Sequence, residues 1–396
     1  MLRWRWKKLL LRLRNHTLRW QRCNSDVAST ETTFITLPIF YANAGPHVGH
    51  LYTSLIGDVM ARWQSIKNPG CHVLFSCGMD EHGTKIAQAA NTALSSPQEY
   101  CDRIAQEFKQ LYRTFDIRPS HFIRTTDHRH KEAVEAFWRK LLDRGYIYKG
   151  SYSGWYSVTE EAFYGDQDVC DGEVKDSGQP VQWVSEENYM FRLSEFAEPL
   201  RNWLTTSDVV QPSIYLPDAL SLLKLSTAQD LSISRDRKRH KWGIQVPQDP
   251  TQTIYVWLDA LVNYLTVAGY PGPLQHWPPD LQIIGKDILR FHAIYWPAFL
   301  MAAELPLPRK MFTHAHWTVD NSKMSKSRGN VIDPVFEAEN LTVEGLRYFL
   351  IRQGLANADA DYSRLKAVNV INAELVNTLA NLISRSANLQ LNPSQK

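Results

Sequence analysis

The sequence predicts an α/β fold with a doubly wound parallel sheet, and three observations support this prediction. An apolar run at residues 34–40 has the composition of a buried parallel strand. A loop at 41–50 follows, and apolar residues then recur every four positions, the spacing of one helix face, at Leu51, Leu55, Val59 and Trp63. The same strand–loop–helix order returns later in the chain, which favours a parallel sheet covered by helices.

The composition is that of a globular chain long enough for two or three cores: 396 residues, 44% hydrophobic and 21% charged. Its richest apolar stretch, residues 293–303, is shorter than the roughly 18 residues of a membrane span and contains Pro297. We therefore expect no membrane segment. The five cysteines include no C-x-x-C pair, which disfavours a zinc knuckle or a disulfide framework.

The amino terminus differs from the rest of the chain in charge. Residues 1–25 carry eight Lys or Arg and no acid, and their apolar residues share one helical face. This pattern is typical of a mitochondrial import sequence, which we predict at 1–30, with the mitochondrial matrix as the destination. A nucleic-acid-binding arm and a membrane-surface helix remain alternatives.

The body of the chain is predicted to consist of a divided domain with an insertion. Short runs and turns at Asp171-Gly172 and Ser177-Gly178 interrupt the strand–helix order after Gly145. We predict the first half of the main domain at 31–145, the insert at 146–250 and the second half at 251–322. Further strands are predicted at 71–77, 254–258, 281–284 and 311–318, and two amphipathic helices within 97–144.

Two histidines, His47 and His50, fall in the first turn of the helix after the first strand. The free N–H groups and positive dipole of a helix amino end favour an anion, typically phosphate. Imidazoles there can donate hydrogen bonds to phosphate oxygens, although plain surface or capping histidines are the alternative. Asp80 ends the second strand at the same sheet edge, where it either pairs with a cationic amine or caps the helix near Gly83.

Two other segments are rich in cations. Residues 323–330 place Lys323, Lys326 and Arg328 in a Ser/Gly-rich loop, and residues 235–241 form a second basic run. Each is either a solvated loop or a contact for phosphate or nucleic acid. His292 lies among aromatic residues, so it is either a core residue or part of an apolar pocket.

Two short motifs carry a family resemblance. His47-Val48-Gly49-His50 and Lys323-Met324-Ser325-Lys326-Ser327 resemble the two signature sequences of class I aminoacyl-tRNA synthetases. The wider context is similar to the methionyl-tRNA synthetase family, of mitochondrial or bacterial type. The matching stretches are 38–50, 80–83, 255–261, 284–288, 291–298 and the lysine loop.

The resemblance implies a Rossmann-type catalytic domain with an inserted connective domain. A stem-contact region follows at 323–372, and an α-helical anticodon-binding domain begins at 373–396, where the chain stops. It implies ATP-dependent activation of methionine and transfer to tRNA(Met) by a monomer, with ATP and Mg²⁺ as the substrate complex. On this basis we expect adenylate formation to survive and tRNA charging to be poor. Many family members bind zinc through cysteine pairs in the insert; only Cys170 lies there, so we expect no metal.

The resemblance also implies the roles of individual residues. The residues implied to be catalytic are His47, His50, Lys323, Lys326 and Arg235. Those implied to bind ATP are His47, Gly49, His50, Gly285, Asp287 and Lys326. Those implied to bind methionine are Tyr41, Asp80, Trp257, Ala260, Leu261, Tyr264, Phe291, His292 and Trp296.

Three other functions stay open at this point. Leucine, isoleucine and valine synthetases share both signatures but usually carry much larger editing insertions. A small-molecule adenylyltransferase uses H-x-G-H on a parallel sheet but lacks the long insert and the lysine motif. A non-catalytic tRNA- or protein-binding relic has no reason to keep His47, His50, Asp80 and Lys326 together.

Overall fold

The structure, a computed structural model, describes residues 32–157, 162–175, 177–324, 329–388 and 390. The predicted import sequence and Lys326 lie outside the described residues. The strands are β1 (Thr32–Thr36), β2 (Phe40–Tyr41), β3 (His72–Asp80), β4 (His121–Arg124), β5 (Ile147–Ser157), β6 (Ala162–Tyr164), β7 (Val169–Cys170), β8 (Glu173–Val174), β9 (Gln182–Phe191), β10 (Val210–Gln211), β11 (Leu231–Ser232), β12 (Ser234–Asp236), β13 (Gln245–Val246), β14 (Asp249–Ile254), β15 (Leu281–Gly285), β16 (Met311–His314), β17 (Trp317–Val319), β18 (Ser322–Lys323) and β19 (Ala360–Asp361).

Helices connect these strands and cover the sheets. The α-helices are α1 (Val48–Lys67), α2 (Thr84–Thr92), α3 (Pro97–Thr114), α4 (His128–Asp143), α5 (Ala197–Thr206), α6 (Leu216–Ser226), α7 (Val256–Val267), α8 (Trp296–Ala302), α9 (Pro334–Leu341), α10 (Val343–Gln353), α11 (Arg364–Val370) and α12 (Asn381–Ser386). Short 3₁₀ turns lie at Asp166–Asp168, Leu193–Phe196, Ser213–Tyr215 and Lys286–Ile288, and π-helical segments at Phe291–Tyr295 and Ile371–Ala380.

A parallel sheet lies at the centre of the fold. Its strand order is β10–β16–β15–β1–β3–β2, and β4 also pairs with β3. Every pairing in it is parallel. Ile283 and Ile284 are neighbours on β15 but belong to two different apolar clusters, since successive strand residues point to opposite faces. Both faces are therefore covered, which confirms the doubly wound α/β fold.

The first predicted strand is in fact two strands. β1 ends at Thr36, and the chain re-enters the sheet at Phe40 as β2, also parallel to β3. Pro38 lies between them and has no N–H to donate to a ladder, which explains the break. The second predicted strand, 71–77, continues as β3 to Asp80.

Two later strand predictions are wrong in part. The apolar run at 254–258 is mostly helical: β14 ends at Ile254 and α7 begins at Val256. A short apolar run has no period that separates a strand from a buried helix. The run at 311–318 splits into β16 in the central sheet and β17 in a separate sheet with β18 and β19. The strand β4, between α3 and α4, was not predicted.

The segment predicted as an insert is built on antiparallel strands. β5 and β9 form a long ladder, flanked by β6 and β11. Asp171 and Gly172 have φ of 53° and 80° and turn the β7–β8 hairpin, as predicted, because a tight hairpin turn needs positive φ. β10, although inside 146–250, pairs with β16 of the central sheet. The domain boundaries remain predictions.

Helix α1 packs its first half on the sheet. Leu51 and Leu55 are buried as predicted, but Val59 is 39% and Trp63 is 57% exposed, so the predicted apolar face leaves the core after Leu55. The buried Asp58 binds Arg62 at 2.8 Å and Arg347 of α10 at 2.6 Å. The pair with Arg62 lies within α1, whereas the pair with Arg347 ties α1 to the carboxyl-terminal part of the chain.

The carboxyl-terminal helix begins earlier than predicted. It was expected from residue 373, but helical structure runs from Arg364 through α11 and the π segment into α12, which ends at Ser386. Leu365, Leu379 and Leu382 on it are exposed. Across the described part of the chain, no helix combines the length and hydropathy needed to cross a bilayer.

Gly57 marks the closest approach of α1 to the sheet. A Cβ at this position would lie 2.7 Å from Phe75 Cε2 and 2.8 Å from Leu37 Cδ2, both in buried side chains. We expect Gly57→Ala to lower the free energy of unfolding by about 1–3 kcal/mol through overpacking, although alanine is the better helix former. Urea unfolding of the purified chain measures this change.

Ser65→Ala on the exposed end of α1 is the matched control, and its unfolding free energy should stay within about 0.5 kcal/mol of the wild type. A Gly57→Ala chain as stable as the wild type would show that α1 does not depend on this close contact.

Candidate active site

A cavity of about 540 Å³ opens at the carboxyl ends of the central strands. Its wall includes Tyr41 at the end of β2, Asp80 at the end of β3, Gly285 at the end of β15 and His314 at the end of β16. From β1 the chain first adds β3 on one side, and later β15 on the other. The cavity therefore lies at the point where the strand order reverses, which is where open parallel sheets bind ligands.

Most of the predicted site residues line this one cavity. They are Tyr41, His47, Gly49, His50, Asp80, Trp257, Ala260, Leu261, Tyr264, Gly285, Asp287, Phe291, His292 and Lys323. The cavity thus joins residues that are far apart in the sequence. The roles assigned to the individual residues remain predictions.

Two predicted residues lie outside the cavity wall. Trp296 is fully buried behind Tyr264, with 5.9 Å between ring centroids. Arg235 is buried on β12, where its Nη1 donates to the Ser232 carbonyl at 3.1 Å and its guanidinium stacks over Tyr255. The start of the basic run is therefore not a solvated loop.

Helix α1 has an unusual amino-terminal cap made of its two histidines. His47 is the N-cap, and its Nδ1 accepts a hydrogen bond from the Gly49 amide at 3.0 Å. In return, His50 Nδ1 accepts from the His47 amide at 3.2 Å. The rings lie 3.8 Å apart between centroids, and His50 also packs against Phe40 and Phe108. This is the reciprocal geometry of a capping box, with imidazoles in place of the usual hydroxyl and carboxylate.

The cap determines the tautomer of both rings. A nitrogen that accepts from an amide carries no proton, so in each neutral ring the proton is on Nε2. Both Nε2–H groups are therefore hydrogen-bond donors at a helix end where the dipole favours negative charge. The two alternatives for these histidines, capping and anion binding, are compatible because each uses a different ring nitrogen.

Asp80 does not cap the following helix. The N-cap of α2 is Gly83, which has no side chain to accept a hydrogen bond. Asp80 is the last residue of β3, pairs with Tyr41 of β2 and lines the cavity. Its Oδ1 is 3.5 Å from the backbone nitrogen of His82. The capping interpretation is therefore wrong, and the carboxylate belongs to the cavity wall.

Asp287 is the centre of a polar cluster on the opposite wall. Its Oδ1 accepts from His316 Nε2 at 3.0 Å, and its Oδ2 accepts from Lys323 at 2.8 Å. Partial burial acts to raise the pKa of Asp287, but the bond from His316 and the charge of Lys323 outweigh it and hold the pKa well below the usual range. The side chain is still 42% exposed, so the cluster faces the cavity mouth.

The apolar wall is aromatic and contains a neutral histidine. Trp257 and Phe291 stack with ring centroids 3.5 Å apart. His292 Nδ1 donates to the Ile288 carbonyl at 3.0 Å, so its Nε2 accepts from the Tyr264 hydroxyl at 2.8 Å. Burial lowers the pKa of His292 to about 4. His292 is therefore both a buried residue and part of the cavity wall.

Sequence reasoning missed several polar residues of the cavity, among them Thr53, His314 and His316. His314 Nδ1 donates to the Ala315 carbonyl at 2.8 Å and its Nε2 contacts the Thr53 hydroxyl at 3.0 Å. The signal for both histidines was present, because polar residues at a strand's carboxyl end lie at the ligand edge. The last strand was predicted to run to Thr318, whereas β16 ends at His314. The carboxyl end of the strand was therefore expected four residues too far along the chain.

Among the described residues, no group of three or more His, Cys, Asp or Glu side chains is arranged to hold a metal ion. Cys170, in the predicted insert, is exposed.

Paired imidazoles at a helix amino end, at the switch point of a doubly wound sheet, form the kind of site where α/β proteins bind phosphate groups. The chain belongs to the family of class I tRNA synthetases of the methionine type: the sequence model for "tRNA synthetases class I (M)" matches residues 33–387.

Relatives from mitochondria and bacteria are similar to this chain. The probable mitochondrial methionine–tRNA ligase of Dictyostelium discoideum is 47% identical over 380 residues, which cover 91% of this chain and 66% of that protein. The mitochondrial methionine–tRNA ligase of Homo sapiens is 47% identical over 93% of this chain and 64% of its own length. The methionine–tRNA ligase of Rickettsia prowazekii is 45% identical over 89% of this chain. The chain thus spans just under two thirds of the mitochondrial relatives.

A solved structure shares the fold. Mycobacterium tuberculosis methionyl-tRNA synthetase bound by methionyl-adenylate superposes with a TM-score of 0.85 at 41% identity. The match covers 91% of this chain and 72% of that one. It supports a Rossmann-type catalytic domain with an inserted domain.

The two buried cavity histidines make stability depend on pH. Burial lowers the pKa of His292 and of His314 from 6.5 to about 4, whereas in the unfolded chain both titrate near 6.5. Between these values the unfolded chain binds more protons, so the free energy of unfolding should decrease as the pH falls from 6.5 to 4. Each histidine contributes at most about 1.4 kcal/mol per pH unit. Urea midpoints across this range measure the slope.

His292→Gln keeps an acceptor for the Tyr264 hydroxyl and should reduce this slope. His128→Gln is the matched control, since His128 is exposed on α4 and the slope should not change. An equal slope for the wild type and His292→Gln would contradict the assignment of a neutral buried ring.

Proposed function

We propose that this chain activates methionine with ATP, forming methionyl-adenylate and pyrophosphate, and then transfers the methionyl group to tRNA(Met). One observation supports this most strongly. A single cavity combines a helix end with paired imidazole donors, a carboxylate at a strand end and an aromatic apolar wall. These three features match the triphosphate, the ammonium and the thioether side chain of the two substrates.

The amino-acid half of the proposed site has a charged end and an apolar end. Asp80 pairs with the substrate ammonium, as a charge-assisted hydrogen bond. Trp257, Phe291 and Tyr264 surround the side chain, and sulfur–aromatic contacts favour a thioether there. Such a pocket discriminates by about 1–3 kcal/mol per methylene, so homologues of methionine are weak substrates rather than excluded ones.

The nucleotide half is polar. His47 and His50 donate from Nε2 to phosphate oxygens, and Asp287 binds the ribose beside Gly285. A Cβ at position 285 would lie 2.6 Å from Asp287 Oδ1, so this approach requires glycine. Lys323, together with Lys326 outside the described residues, offsets the charge of the departing pyrophosphate. Magnesium accompanies ATP as part of the substrate.

The proposed chemistry has two steps. A carboxylate oxygen of methionine attacks the α-phosphorus of ATP, and the bond from that phosphorus to the bridging oxygen breaks, so pyrophosphate leaves. The 2′-hydroxyl of the terminal tRNA ribose then attacks the methionyl carbonyl, and AMP leaves as the ester forms. No covalent enzyme intermediate arises, so positioning and charge stabilisation carry the catalysis.

We place this activity in mitochondrial translation, in a monomer. Two facts support the location: the basic, acid-free composition of residues 1–25 and the mitochondrial relatives that share 47% identity.

ATP–pyrophosphate exchange across the twenty amino acids tests the function and its specificity. We expect exchange with methionine, and at least a ten-fold lower kcat/KM with leucine, isoleucine and valine, because their branched side chains misfit the wall. Asp80→Asn should raise the KM for methionine roughly 10–100-fold, the loss of one charge-assisted hydrogen bond. Exchange that prefers leucine, isoleucine or valine would assign the chain to another synthetase, and no exchange at all would favour a binding relic.

Substitutions that preserve the helix cap separate the two tasks of the histidines. His47→Asn keeps an N-cap acceptor, and His50→Gln keeps the third position of a capping box, but both remove the Nε2–H donor. We expect the kcat of exchange to fall about 100–1000-fold, the usual loss for one donor to a developing negative charge. The urea midpoint should change little.

His72→Gln, at an exposed histidine on β3, is the control and should keep full activity. If His47→Asn and His50→Gln kept full activity as well, the histidines would be caps and nothing more.

A further inference from the structure

A buried ionic cluster of three residues lies next to the cavity and has no role in the proposed chemistry. Asp259 of α7 accepts two hydrogen bonds, from His82 Nδ1 at 2.7 Å and from His130 Nε2 at 2.8 Å. His130 also contacts the Thr266 hydroxyl at 3.0 Å. All three side chains of the cluster are at most 4% exposed.

The carboxylate at the centre of this cluster is ionised. Burial acts to raise the pKa of Asp259, but His82 and His130 outweigh it and lower the pKa to about 2. An ionised carboxylate accepts only, so both imidazoles donate to it. Burying an ionised carboxylate is costly, so a buried cluster of this kind is weak evidence for a gain in stability.

The cluster connects three segments that carry or support the cavity wall. His82 is two residues after Asp80, and its backbone nitrogen is 3.5 Å from the Asp80 carboxylate. Asp259 lies between Trp257 and Ala260 on α7, both of which line the cavity, while His130 belongs to α4 behind α7. None of the three cluster residues lines the cavity itself.

We propose that His82, Asp259 and His130 are positioning residues that set the distance between the carboxylate for the substrate ammonium and the aromatic wall for its side chain. This inference rests on the proposed function and adds to it a determinant of specificity. The strand end with Asp80 and the helix with Trp257 come from distant parts of the chain. The hydrogen bond from His82 to Asp259 fixes the position of this strand end relative to this helix. An amino acid therefore gains its full affinity only when its ammonium reaches Asp80 and its side chain fits the aromatic wall.

This hydrogen bond can be broken without touching the cavity. His82→Leu removes the Nδ1 donor, whereas His82→Asn places an amide N–H near the same point and serves as the conservative variant. The probes are two competitors of methionine in the exchange assay. Methioninol has an amine, a hydroxyl and the thioether, and 4-(methylthio)butan-1-ol is the same molecule without the amine.

We expect His82→Leu to raise the inhibition constant of methioninol at least about ten-fold, since misplaced binding groups lose most of their joint affinity. The inhibition constant of the amine-free alcohol and the KM for ATP should stay within about two-fold, and His82→Asn should restore methioninol binding. General loosening of the structure would instead weaken both competitors and ATP together.

Asp259→Asn is the second variant and should give the same pattern if His82→Leu does not fold. Equal losses for both competitors, or no loss for methioninol, would overturn the inference. A wild-type chain without methionine-dependent exchange would instead remove the proposed function. The wild-type measurement and the variant measurements therefore distinguish the two failures.

Discussion

The site depends on keeping the amino end of α1 at the carboxyl edge of the sheet with its first N–H groups satisfied. His47 and His50 meet this need with their Nδ1 atoms. Serine, threonine or aspartate would be the common choice for a cap, but their side chains have no second polar atom on a rigid ring. An imidazole caps the helix with one nitrogen and has the other as a donor, so under the proposed function one residue serves both folding and ligand binding.

The direction of α1 is fixed by residues far along the chain. Arg347 of α10 binds the buried Asp58, and the apolar cluster around α1 includes Leu346, Phe349 and Leu350 of the same helix. Breaking one partner of a buried ion pair leaves the other charge without compensation. The region predicted to contact the tRNA stem therefore holds the helix that carries the histidine pair.

The sequence alone predicted those site residues whose position depends on the local order of strand, turn and helix. His47, His50 and Asp80 were found because a strand end and the following turn identify the ligand edge. The stretch from Ile254 to Leu258 was misjudged because five apolar residues fit a strand and a buried helix equally well. Trp296 and Arg235 were assigned by resemblance, and their burial outside the cavity wall depends on tertiary packing that no single-sequence pattern encodes. In the Asp287 cluster, the resemblance pointed to Asp287 and Lys323, but His316 was missed because it comes from a separate segment.

The two halves of the cavity differ in charge, and this difference matches the chemistry of the two proposed substrates. The wall for the side chain contains His292 with its pKa lowered to about 4, so no net charge faces a thioether. The wall for the nucleotide keeps Asp287 and Lys323 as an ion pair, with side chains 42% and 59% exposed. A solvent-exposed ion pair of this kind contributes at most about 1 kcal/mol of interaction free energy. In the proposed function, Lys323 therefore leaves Asp287 at little cost, so that Oδ2 of the carboxylate binds the ribose and the ammonium binds a phosphate.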